Sequence, residues 1–294
     1  MIDPTDENQV LKQLIQWGEG HPLVRAMLLT SNRAVPNAAS DIFTDYDVIL
    51  AVSDVNPFFA SRDWLKAFGT VLVMYRDPLE MAGGFPKSGN VVQFEEGLKI
   101  DFSLWSVEIL QAIAIQPELP AEFDAGYRVL LDKDGLTDGL KPPRYRAYIP
   151  KPPSQAEYIG KIEDSFLVAV YVAKYLRRDE MMAAKYILEV FMKHEDLLPM
   201  LEWHMELEHQ WSVKPGLYGR RLKKRLRPDL WADLEGTYTG IGVEENWTVL
   251  YRMLDLVSKA AREVGEKLGY AYPEEMECKT RAFIQKIRAL DLES

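Results

Sequence analysis

Asp45-Tyr46-Asp47 lies within Asp-Ile-Phe-Thr-Asp-Tyr-Asp-Val-Ile-Leu, residues 41–50, and Asp101 lies within Leu-Lys-Ile-Asp-Phe-Ser-Leu, residues 98–104. Apolar and polar residues alternate in both stretches, and β-branched and aromatic residues dominate, so both read as strands. Side chains two apart on a strand share a face. Asp45 and Asp47 therefore point one way, and Tyr46 and Val48 the other. If the two strands are neighbours, three carboxylates meet. Two carboxylates about 5 Å apart repel by roughly 3 kcal/mol at an effective dielectric near 20. Protonation, a basic partner or a divalent cation relieves such a cluster. No Lys or Arg lies between Asp41 and Asp54. A cation is then the simplest expectation, and an all-oxygen donor set suits Mg²⁺, which binds through a few carboxylates and substrate phosphates. The bland alternative is three unrelated acids, with Asp45 opening a strand, Asp47 exposed and Asp101 at an edge.

The elements around these acids alternate in type. Val10, Leu11, Leu14 and Ile15 have helical spacing within residues 8–17, and residues 26–30 form a short apolar strand. Residues 31–40 read as a loop. A helix is expected over 58–68, closed at Gly69, and a strand over 70–75. Residues 83–90, rich in Gly and Pro, read as a loop, followed by a hairpin of 91–95 with 98–105. Ser106 then starts a short helix. Lys141-Pro142-Pro143 and Pro150-Lys151-Pro152-Pro153 bracket a linker. Beyond it the character is helical. Ser154-Gln155-Ala156-Glu157 is a capping box opening a helix to about Arg178. Further helices are expected over 179–194, 197–211, 244–268 and 274–290. The expected fold is α+β: a mixed sheet with flanking helices in residues 1–150, then an all-helical domain in 151–294.

The chain has 294 residues and a formal net charge of −10. An acidic surface repels nucleic acid and attracts cationic ligands. Its single cysteine, Cys278, excludes an intrachain disulfide, which fits a reducing compartment. The first ten residues are polar and acidic, unlike a secretory signal, and no apolar run is long enough to span a bilayer. The cytoplasm is the expected location. His204 and His209 are five apart and show no helical metal-ligand spacing.

Ser31-Asn32-Arg33 stands between the apolar run 26–30 and the acidic strand. A strand, a small polar turn and a strand with Asp-x-Asp is the plan of polymerase-β-type nucleotidyltransferases. The resemblance narrows further. Arg33, Pro36-Asn37, Asp41-Ile42-Phe43, Asp45-Tyr46-Asp47, Trp64, Phe68-Gly69 and Ile100-Asp101 resemble the aminoglycoside 6-adenylyltransferases, the streptomycin-modifying nucleotidyltransferases. So do Tyr171-Val172-Ala173-Lys174, Ala184-Lys185-Tyr186, Met200-Leu201-Glu202-Trp203, Lys223-Lys224 and Glu245-Asn246-Trp247. The similarity spans roughly residues 8–275.

The resemblance implies a Mg²⁺-dependent transfer of AMP from ATP to a hydroxyl of a small cationic aminoglycoside, with pyrophosphate leaving, hence antibiotic resistance. Asp45 and Asp47 would hold the metals. Asp101 would be a third ligand or would help to deprotonate the hydroxyl. Ser31, Asn32 and Arg33 would grip phosphate. Where the family has Gly-Ser-Arg, this chain has Ser31-Asn32-Arg33. An alternative places Ser31 in the serine role after a shift of one residue. The departure leaves room for a nucleotide-binding protein of weak turnover. Glu163 and Asp164 would bind ammonium or guanidinium groups or act as base, against the plain alternative of a solvated helix face. In the basic run 220–227, Lys223 would reach phosphate, against the alternative of a solvated amphipathic helix. The protein is expected to be a monomer or homodimer without nucleic-acid or membrane partners.

Overall fold

The Asp6 carboxylate accepts the backbone N–H groups of Asn8 (3.0 Å) and Gln9 (3.3 Å) and so starts helix α1, Glu7–Gly20, in the computed structural model, which describes residues 6–291. Contacts divide the chain into two units, Met1–Tyr148 and Ile149–Ser294.

In the first unit α1 is followed by β1 (Val24–Thr30), a 3₁₀ turn over Ser31–Ala34, β2 (Tyr46–Val52) and the short α2 (Asn56–Ala60). Then come β3 (Val71–Arg76), β4 (Glu80–Ala82), β5 (Phe85–Phe94), β6 (Lys99–Ser106), α3 (Val107–Ala114), α4 (Ala121–Asp124) and β7 (Tyr127–Asp132). The strands make one seven-stranded mixed sheet in the order β3-β5-β6-β2-β1-β7, with β4 also on β5. Among the described residues only β2 and β6 pair in parallel; the other strand pairs are antiparallel. Both faces are covered. Tyr46, Val48, Leu50 and Val52 pack with Ile100, Phe102, Leu104 and α1 on one side. Ile49 and Ala51 pack with Ala26, Leu28, Trp105 and Phe123 on the other. Trp105 is thus a core residue, its ring tilted against Phe123 with centroids 5.9 Å apart.

Three expectations need correction. Residues 41–44 are a turn rather than strand, because Asp41 accepts the Phe43 N–H (3.0 Å) and its own N–H donates to Thr44 Oγ1 (2.8 Å); the strand begins at Tyr46. The helix expected over 58–68 is broken at Ser61, whose Oγ accepts the Asp63 N–H (3.1 Å), and only a 3₁₀ turn, Asp63–Ala67, follows. Residues 85–90 are strand, not loop. Gly89 sits in mid-strand because the Asp77 carboxylate lies where a Cβ would be.

The second unit comprises α5 (Gln155–Arg177), α6 (Met181–Tyr186), α7 (Leu198–Glu208), α8 (Leu222–Arg225), α9 (Pro228–Glu235), α10 (Val243–Leu268) and α11 (Glu274–Ala289). The capping box forms as read: Glu157 N–H donates to Ser154 Oγ (3.3 Å) and Ser154 N–H to Glu157 Oε2 (2.7 Å). α6 and α7 are joined by π-helical turns over Ile187–Leu197, so residues 181–208 continue where two helices were expected. Only Leu222–Arg225 of the basic run is helical, since Arg221 has φ 67° and interrupts it. Phe166, Ala169, Val172, Leu201, Leu250 and Val257 centre the apolar core of this unit.

Candidate active site

Parallel pairing of β2 with β6 sets Asp47 directly beside Asp101, in register with Tyr46 beside Ile100. Paired residues of a sheet share a face, so these carboxylates look out on the same side. One residue before Tyr46 and Ile100 in the same register, Asp45 falls level with Lys99. Burial pushes the Asp47 carboxyl up to about 6; Asp101 and Asp45 push it the same way, against a hydrogen bond from Ser31 and the charge of Lys99. Burial also raises Asp101, opposed by Lys99. Asp101 Oδ1 is buried and has no hydrogen-bond partner.

The expectation that no basic side chain neutralises the cluster is wrong. Lys99 Nζ lies 2.5 Å from Asp45 Oδ2 and 3.1 Å from Asp101 Oδ2. Burial lowers its pKa, but the hydrogen bonds and charges of the two acids together outweigh burial and raise it. Residues 41–54 do not contain it, because the lysine comes from the neighbouring strand. The signal was present nonetheless: Lys99 is two residues before Asp101 and so on its face. As the side chains stand, no group of three His, Cys, Asp or Glu among the described residues forms a ready metal cage. On geometry alone, acids bridged by a lysine serve as an ion-pair network as well as they serve a metal. The donor set nevertheless fits a hard cation. It is all carboxylate, one buried oxygen is unpartnered, and a neighbouring acid is held reluctant to ionise.

Arg33, expected to grip phosphate, is engaged within the protein. Its Nη2 donates to Thr44 O (2.7 Å), its Nε to Asp45 O (3.2 Å), and its Nη1 pairs with Glu7 Oε2 (3.0 Å). The guanidinium also lies 3.9 Å from the Tyr46 ring centroid, and its side chain is only 7% exposed. Arg33 therefore fixes the backbone that carries Asp45.

Ser31 has φ 61°, in the left-handed region that favours glycine. In the ungapped reading Ser31 stands in place of the glycine; in the shifted reading it takes the serine role. Its hydroxyl lies beside Asp47 and favours the ionised carboxylate. Asn32 follows in the same 3₁₀ turn, half-buried. Ser31→Gly is expected to leave stability within about 1 kcal/mol, because relief of left-handed strain (about 1–2 kcal/mol) offsets the added chain entropy (about 0.5–1 kcal/mol). It is also expected to raise turnover several-fold, as the backbone at this turn opens to phosphate. Denaturation and steady-state rates on the same preparation check both; a stability loss well beyond 1 kcal/mol contradicts the strain.

The remaining candidates lie in the second unit. Glu163 and Asp164 are exposed on α5. Lys223 Nζ is 3.4 Å from Glu235 Oε1 and 5.3 Å from the Trp231 ring centroid. Sequence reasoning passed over two acids that packing withdraws from water, one buried and one half-buried. Asp196 is 4% exposed, is pushed up to about 6 by burial, and pairs with Lys161 (3.2 Å). Glu202 is pushed up to about 7 by burial and by Glu206, one turn on. Long-range packing, absent from local pattern, covers them. The native state binds the Glu202 proton more tightly than the unfolded chain does, so this contribution is full below about pH 4.5 and is lost as pH rises through about 7. Glu202→Gln is therefore expected to gain about 1–2 kcal/mol over wild type at pH 8, discounted for partial exposure, and nothing at pH 4. Urea melts at both values check the sign.

The chain is a nucleotidyltransferase. It belongs to the streptomycin adenylyltransferase family, whose model matches residues 5–287. An aminoglycoside 6-adenylyltransferase of Bacillus subtilis (strain 168) is 29% identical over 272 residues, covering 91% of this chain and 93% of that protein. One from Campylobacter jejuni is 23% identical over 269 residues, 91% of each. A crystal structure of an aminoglycoside 6-adenyltransferase from Bacillus subtilis aligns over 97% of this chain and 99% of its own, with 25% identity and a TM-score of 0.48. Among the described residues no helix is long and apolar enough to cross a membrane.

Proposed function

We propose that the protein transfers AMP from ATP to a hydroxyl of an aminoglycoside of the streptomycin type, using Mg²⁺ and releasing pyrophosphate in the cytoplasm. The observation that carries this reading is the register of Asp47 beside Asp101, with Asp45 adjoining, in a chain of an adenylyltransferase family. The acceptor oxygen forms a bond to the α-phosphorus as the α–β bridging P–O bond breaks, and the hydroxyl proton passes to a carboxylate. Asp45, Asp47 and Asp101 would hold Mg²⁺, which supplies charge neutralisation on the phosphates. Arg33 keeps the Asp45 backbone in place. Asn32 would offer its amide to phosphate. For the second unit we propose aminoglycoside recognition by Glu163 and Asp164, whose exposed negative charge suits ammonium and guanidinium groups, and phosphate contact by Lys223.

The net charge of −10 supports a cationic acceptor over nucleic acid. Pyrophosphate release from ATP and Mg²⁺ is expected to depend on added streptomycin. A second reading, nucleotide binding with weak turnover, is favoured by Ser31, a side chain held in the left-handed region at the turn beside Asp47. It predicts calorimetric ATP binding without release, with release restored by Ser31→Gly combined with Asn32→Ser.

A further inference from the structure

Lys99 is the one participant in the acid cluster that the reaction scheme leaves without work. Its ammonium takes one carboxylate oxygen from Asp45 and one from Asp101. Those are oxygens that a divalent cation among the same acids would need. An ammonium and a dication cannot share them, because like charges at contact distance repel. The ion pair is also open to exchange: the side chains of Lys99, Asp45 and Asp101 are 29%, 37% and 29% exposed. Water screens such a pair, and the lysine has a route to solvent. Its position is fixed by the sheet, since Lys99 opens β6 on the Asp101 face, level with Asp45.

Resting on the reading of Asp45, Asp47 and Asp101 as cation ligands, we infer that Lys99 is an internal counter-ion that the incoming cation must displace from Asp45 and Asp101. The displaced ammonium then pairs with the triphosphate that arrives with the cation. Two consequences follow from linkage. Bare Mg²⁺ binds weakly, because it gains carboxylates only by stranding an ammonium. Nucleotide strengthens Mg²⁺ binding, because its phosphates give that ammonium a new partner. Lys99 thus couples the two ligands and disfavours a metal-loaded site without nucleotide.

The test is calorimetric titration of the full chain with Mg²⁺ alone, and again with a non-hydrolysable ATP analogue present. Wild type, Lys99→Met and Lys99→Arg are compared, with Asp47→Asn as control and melting curves to confirm folding. Lys99→Met is expected to bind bare Mg²⁺ about tenfold more tightly than wild type, while Lys99→Arg stays near wild type. The strengthening of Mg²⁺ binding by the analogue is expected to shrink about tenfold in Lys99→Met. Unchanged or weaker Mg²⁺ binding by a folded Lys99→Met, with binding still lost in Asp47→Asn, overturns the role of Lys99 and leaves the cation site standing. No Mg²⁺ binding by any of these proteins, with or without the analogue, overturns the cation site and this inference with it.

Discussion

Asp47→Asn is expected to lower aminoglycoside-dependent pyrophosphate release about a thousandfold, and Asp101→Asn by a similar factor. Each change removes a full negative charge from the place where a cation and three phosphates must be balanced. A loss of about 4 kcal/mol of transition-state stabilisation corresponds to that factor. The two acids stand side by side on parallel strands, so neither replaces the other. Stability should move the opposite way. Asp47 and Asp101 are both raised by burial, and Asp45 adds repulsion to each. Neutralising one relieves that repulsion, and the folded variant should be at least as stable as wild type at pH 7.5. A large loss of rate without loss of stability marks residues kept for chemistry rather than for folding. Variants that unfold together with their loss of activity would instead point to a structural ion-pair network around Lys99.

The second large effect is expected at Arg33, and it falls on folding. Arg33→Met should destabilise the protein by about 3 kcal/mol, read from denaturant unfolding at constant slope. The variant strips charge-assisted hydrogen bonds from the Thr44 and Asp45 carbonyls and leaves Glu7 with only the longer contact to Arg128 (3.5 Å). Hydrogen bonds to charged groups contribute about 1.5–3 kcal/mol, and breaking a well-buried ion pair costs about 3–5 kcal/mol. Glu7 is partly exposed, which argues for the lower end. Methionine keeps much of the stem over Tyr46, so the loss isolates the guanidinium. If Arg33 gripped phosphate instead, the variant would fold normally and show only a raised KM for ATP. Normal stability with a tenfold higher KM would therefore restore the role first expected for it.

Local pattern revealed much of this molecule. The alternation around Asp47 and Asp101 gave the two strands and the face of each acid, because a half-buried strand must alternate. Ser154 and Glu157 marked the start of α5 because capping is settled within four residues. Two misreadings, the turn at 41–44 and the break at Ser61, come from hydrogen bonds of short polar side chains two or three residues away; in the others distant residues decide. Residues 85–90 look like a loop by composition, yet β6 pairs with them and Asp77 needs the missing Cβ of Gly89. Nothing near Arg33 shows that its guanidinium closes on carbonyls eleven and twelve residues away. Asp196 and Glu202 look like ordinary helix-surface acids until packing buries the first and half-covers the second. Lys99 is the instructive case. Its spacing from Asp101 was readable, but its partnership with Asp45 required knowing that β2 and β6 are neighbours.

The proposal that these acids serve adenylyl transfer is tested most directly by the mass of the acceptor. Streptomycin incubated with the protein, ATP and Mg²⁺ should gain the mass of one adenylyl group, and no gain should occur with Asp47→Asn. Streptomycin recovered unchanged from folded wild-type protein, with ATP intact, would contradict the account.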